Sequence, residues 1–78
     1  MYVKVKLYGT LRRFSLKETP GAWQGEIPEG IRVRDLIAIL GSSEAEVAAV
    51  ALNKEPCSLE DIIPDGAVVT LVTPVGGG

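Results

Sequence analysis

Ala67-Val68-Val69-Thr70-Leu71-Val72-Thr73 is almost continuously apolar and β-branched. β-Branched side chains fit a pleated sheet, and a strand with little polar character suits a central position, covered on much of both sides. The opening segment is a natural partner for it. In Tyr2–Tyr8, Val3, Val5 and Leu7 fall on one face and Tyr2, Lys4, Lys6 and Tyr8 on the other. Period-two alternation of this kind marks a strand with one buried face. Between the two strands lies one clear helix, Ile31–Gly41, with Val33, Leu36, Ile37 and Leu40 at the i, i+3, i+4, i+7 spacing and Gly41 as its stop. Two long strands bracketing one amphipathic helix predict an α+β fold, with the helix packed across one face of the sheet.

The remaining segments are shorter. Thr10 is a candidate N-cap for a helical turn on which Leu11 and Phe14 share a face. Pro20-Gly21 marks a turn, and Ala22–Ile27 reads as a weak strand with Trp23 and Ile27 inward. Gly41–Asn53 supports two readings. Ser43-Glu44-Ala45-Glu46 resembles a capping box opening a second helix, while Val47–Leu52 fits a buried strand closed by Asn53-Lys54. Ser58–Ile63 reads as one helical turn, with Ser58 as cap and Asp61 three residues on. Pro64-Asp65-Gly66 is a tight turn.

Composition limits the chemistry. With 78 residues there is room for a single domain. The chain has no histidine, which removes the usual general base, the Ser–His and Cys–His nucleophile pairs and the commonest zinc ligand. Cys57 stands alone, so no internal disulfide forms, and a reducing compartment such as the cytoplasm is expected. It reads as an inert structural thiol. A formal net charge of −2 offers no basic field for nucleic acid. No apolar run approaches the roughly 18–20 residues that span a bilayer, so no membrane association is expected. The charged pairs Arg12-Arg13, Glu44/Glu46 and Glu60/Asp61 read as solvated surface. No spacing suggests a metal site.

Three of the nine glycines are Gly76, Gly77 and Gly78, directly after Pro74-Val75. Glycine has no Cβ and accepts almost any backbone geometry, so such an end is slender enough to thread a narrow channel and present its carboxylate. A frayed end with no role is the alternative. The expected organisation is a folded domain over residues 1–75 and a flexible tail over 76–78.

Three stretches together resemble the MoaD/ThiS family of small sulfur carriers. They are Val3–Arg12, Val33–Ile37, and Asp65-Gly66 followed by Val68–Gly78. The resemblance covers nearly the whole chain. It departs at Arg32, where Thr is usual, at Thr73, where the first of two prolines is usual, and at Gly76, where Ala or Ser is frequent. The family has the ubiquitin-like β-grasp fold, a mixed sheet of four to five strands with one main helix on one face. That implies a strand at Val47–Leu52. It also implies that an E1-like adenylyltransferase of the MoeB/ThiF type spends ATP to adenylate the Gly78 carboxylate, which then becomes a sulfur-donating thiocarboxylate. No cofactor would be bound by the chain itself.

The length and the Thr10–Arg12 segment resemble the molybdopterin branch, which implies a non-catalytic small subunit paired with a larger catalytic one. Thiamine biosynthesis, tRNA thiolation and conjugation of Gly78 to target lysines are the alternatives. Pleat geometry places the docking surface. If Val3, Val5 and Leu7 face the helix, Val69 and Leu71 turn inward, and Val68, Thr70 and Val72 turn outward beside Lys4, Lys6 and Tyr8. The expected partner-binding residues are Val68, Thr70, Val72, Pro74 and Val75, with Gly76 and Gly77 threading the partner.

Overall fold

The computed structural model describes residues 1–74. Five strands form one sheet: β1 (Tyr2–Leu7), β2 (Ala22–Glu26), β3 (Ala49–Leu52), β4 (Glu55–Cys57) and β5 (Val68–Val72). The spatial order is β2-β1-β5-β3-β4. The two apolar strands meet in the middle as a parallel pair, with Val5 opposite Val69 and Leu7 opposite Leu71. The other pairings are antiparallel, so the sheet is mixed.

The one α-helix among the described residues, α1 (Val33–Leu40), lies over one face. Val33, Leu36 and Ile37 are buried there with Val3, Val5, Leu7, Val69 and Leu71, the two alternating strand patterns meeting the helical one in a common core. Leu40 packs at the edge of this core and Trp23 against it from β2, while Ile27, just past the strand, is fully enclosed.

Both ends of α1 show how the backbone is satisfied. At the C-terminus Gly41 adopts φ 97°; its N–H donates to Ala38 O and that of Ser42 to Ile37 O, a Schellman motif. At the N-terminus Arg32 occupies the cap, but its guanidinium side chain has no acceptor to offer. The Asp35 carboxylate instead accepts from the Arg32 N–H at 2.9 Å. The free N–H groups of Val33 and Arg34 donate to Asp61 O and Leu59 O. The 58–63 segment therefore caps the helix with its backbone.

Several local expectations change. Ser58–Ile63 is a hydrogen-bonded turn and not a helical one. Ser58 N–H donates to the Asp61 carboxylate and Glu60 N–H to the Ser58 hydroxyl, and the segment then pairs with Ile31 and Arg32. Pairing to the helix entrance keeps the chain extended there. In 43–52 the strand forms, shortened, and the second helix does not. One 3-10 turn spans Glu44–Glu46 without a Ser43 side-chain cap, and the strand begins at Ala49. Thr10 does not cap: the 3-10 turn runs Gly9–Phe14, and the Thr10 hydroxyl donates to Glu46. Tyr8 lies beyond β1, although its N–H still reaches Leu71 O at 3.1 Å.

Candidate partner-docking face

The candidate surface is built by β5. Val69 and Leu71 are completely buried, so the pleat sends Val68, Thr70 and Val72 to the opposite face, where all three are half-buried. Their neighbours follow from register. Lys4 pairs with Val68 and Lys6 with Thr70 on one side, while Ala51 pairs with Thr70 and Ala49 with Val72 on the other. The alanines are short and the lysines extend away from their stems, leaving an apolar strip along β5. Within the described residues no element of the chain packs over this face.

The strip runs directly to the root of the tail. The last two carbonyls of β5 are held from both flanks: Tyr8 N–H donates to Leu71 O, and Ala48 N–H to Val72 O at 2.7 Å. Thr73 is half-buried against Gly9, which stands at φ 66° so close that any Cβ there would collide with the Thr73 hydroxyl. Pro74, which has no N–H for a ladder, follows as an exposed residue. Val75, Gly76, Gly77 and Gly78 lie outside the described residues. The structure thus brings Val68, Thr70 and Val72 into one line ending at Pro74.

A second cluster is not visible in local sequence pattern. The Glu46 carboxylate accepts hydrogen bonds from both terminal nitrogens of Arg13, from Thr10 Oγ1 at 2.8 Å and from Ser42 Oγ at 2.5 Å. These bonds, Arg13 first, then Ser42 and Thr10, pull its pKa from 4.5 down to about 2. Arg13 also lies 4.3 Å from the centroid of the Phe14 ring. The cluster ties the Gly9–Phe14 turn, which touches Thr73, to the turn preceding β3. Arg13 is therefore not a freely solvated residue. Its partner is 33 positions away, and only the tertiary fold joins them.

The remaining reactive groups are placed as follows. Cys57 is partly buried on β4; burial, and then the negative Asp61, push its thiol pKa up, so the thiolate is disfavoured. Glu60 pairs with Arg34 at 2.9 Å. Among the described residues no three His, Cys, Asp or Glu side chains converge on a point. No helix among them is long and apolar enough to cross a membrane.

The sequence model of the ThiS family matches residues 5–78. A protein assigned as molybdopterin converting factor subunit 1 from Pyrococcus furiosus is 29% identical, with a TM-score of 0.68; the alignment covers 96% of this chain and 99% of that one. Subunit 1 in a complex of subunits 1 and 2 of the molybdopterin-converting factor from Helicobacter pylori is 30% identical over 100% of both chains, with a TM-score of 0.60. SAMP1 from Haloferax volcanii shares the fold, with a TM-score of 0.69 and 20% identity over 100% of both chains. Among curated protein sequences none matches at a significant level.

Proposed function

The chain belongs to the ThiS family of ubiquitin-like sulfur carriers, and on that premise we propose that the C-terminal carboxylate of Gly78 is its reacting group. The carboxylate attacks the α-phosphorus of ATP held by an E1-like adenylyltransferase. Pyrophosphate leaves and a mixed anhydride with AMP forms. A sulfide-level nucleophile then adds to the carbonyl carbon and AMP departs, so a C–S bond replaces a C–O bond. The resulting thiocarboxylate sulfur attacks an electrophilic carbon of the acceptor and displaces that carbon's leaving group. Water then cleaves the acyl–sulfur bond, so the sulfur stays on the acceptor and the carboxylate is regenerated. Adenylation is needed because a free carboxylate is a poor electrophile. The catalytic groups belong to the partners, and this chain contributes a docking surface and a slender end.

The observation that best supports this reading is the uncovered β5 strip leading to a tail root fixed by Gly9 and Thr73. Such a surface lets a partner hold the domain while the glycines reach its active site. We place the chain in molybdopterin biosynthesis, as the non-catalytic small subunit beside a larger catalytic one. The two molybdopterin converting factor relatives support that branch, one of them solved with a second subunit.

The test is ATP–pyrophosphate exchange by an E1-like adenylyltransferase of the MoeB type. Exchange that depends on this chain and vanishes when Gly77-Gly78 is deleted is expected. Exchange that survives the deletion contradicts the proposal.

A further inference from the structure

Beside the apolar strip, the outer face carries a groove of about 480 Å³, lined by Lys4, Lys6 and Lys54, with Ala22, Gln24 and Val68 among its other walls. Three of the chain's eight basic side chains thus meet here, and no carboxylate of the described residues lines the groove. None of the three lysines forms an ion pair with a described residue, whereas Arg13 and Arg34 both do. In a chain of formal net charge −2 this is a local reversal of sign. Lysine places its ammonium in water while its stem covers apolar surface, so the groove offers an apolar floor with a cationic rim.

We propose that this groove seats an acidic segment of a protein partner, with apolar side chains between its carboxylates. The assignment rests on the reading of the outer face as a docking surface and names the chemistry of what docks there. Charge complementarity favours the carboxylates, and the apolar floor favours the side chains between them. A small free anion is a poorer match, because among the described residues no polar or charged side chain is buried to grip it. A nucleic acid is a poorer match too, because a long polyanion meets the molecule's negative net charge beyond the groove. Lys4 and Lys6 lie on β1, and Lys54 is held at the β3–β4 turn. Asn53 binds that turn to Val68, donating its N–H to Val68 O at 2.8 Å and accepting from Val68 N–H at 2.9 Å. The backbone that carries the cationic rim is therefore anchored to β5, and pairing with the rim sets the partner's register along the strip.

The test follows amide NMR shifts of the full chain on titration with an acetylated, amidated Glu-Leu-Glu-Leu-Glu peptide. Saturable shifts at Lys4, Lys6, Lys54 and Val68 are expected. Exposed ion pairs are individually weak, so the Lys4→Gln/Lys6→Gln/Lys54→Gln chain should bind about tenfold less tightly. Binding should also weaken as salt rises from about 0.1 M to about 1 M. The lysines are exposed, and an otherwise unchanged spectrum of the variant confirms its fold. The proposal is overturned by absent shifts, by equal shifts from a peptide with Lys in place of Glu, or by the same shifts from tripolyphosphate or a single-stranded oligonucleotide. ATP–pyrophosphate exchange is read separately. Failure of the groove with exchange intact overturns the groove alone.

Discussion

Gly9 stands at φ 66°, and a methyl group there would meet the Thr73 hydroxyl. Both effects penalise a side chain: the left-handed conformation costs about 1–2 kcal/mol for an L-residue, and overpacking adds to it. Gly9→Ala is expected to lower stability by about 2 kcal/mol or more in urea unfolding. Adding Thr73→Ala should return the steric part and leave the conformational part. Lys54 tests the converse. Asn53 and Lys54 occupy φ 51° and 72° at the β3–β4 turn, where glycine suits the second position. Lys54→Gly should raise stability by about 0.5 kcal/mol, the conformational gain outweighing glycine's greater unfolded entropy. A stop after β1 was legible at Gly9, and so was a turn at Asn53. The meeting of Gly9 with Thr73 was not, because it joins residues far apart in sequence.

At the scale of elements, periodicity carried most of the information. The core faces of β1, β5 and α1 follow from period two and period 3.6, because each element buries one side against the others. Leu36 is fully buried beneath α1, and Leu36→Ala is expected to cost about 2–5 kcal/mol, measured by thermal or urea unfolding. The helix entrance was not legible. Its N–H groups are satisfied by carbonyls of the 58–63 segment, a tertiary solution that no local capping pattern encodes. The tie between the two 3-10 turns was hidden for the same reason. Glu46 titrates lower in the folded chain than its ordinary 4.5, at about 2. Its stabilising contribution is therefore complete above about pH 4.5 and is lost as pH falls toward 2. The stability difference between the native chain and Glu46→Gln should be largest near neutral pH and shrink through that window.

At the scale of the molecule, the sheet has one face closed by α1 and one left open. The nearly unbroken apolar pattern of β5 suggested cover on much of both sides; the chain buries Val69 and Leu71 completely and leaves Val68, Thr70 and Val72 half-buried. The surplus apolar side chains on the open face are the reason to read that face as a docking surface. Val72→Glu should leave the fold intact, since the residue does not enter the core, and weaken association with a larger subunit about tenfold or more, as expected for a charge placed in a packed interface. The alternation that exposes Val68, Thr70 and Val72 was legible in the sequence. The lysine groove was not, because Lys54 reaches it only through the β3–β4 turn.

Sulfur carried on Gly78 changes the mass of the chain. Intact-mass analysis of the chain from its native cells, with fragmentation from the C-terminus, tests for it most directly. A fraction of chains heavier by one oxygen-to-sulfur exchange, localised to Gly78 and lost when the activating partner is removed, is expected. Chains found only with an unaltered carboxylate, or only joined through Gly78 to lysines of other proteins, would contradict sulfur carriage.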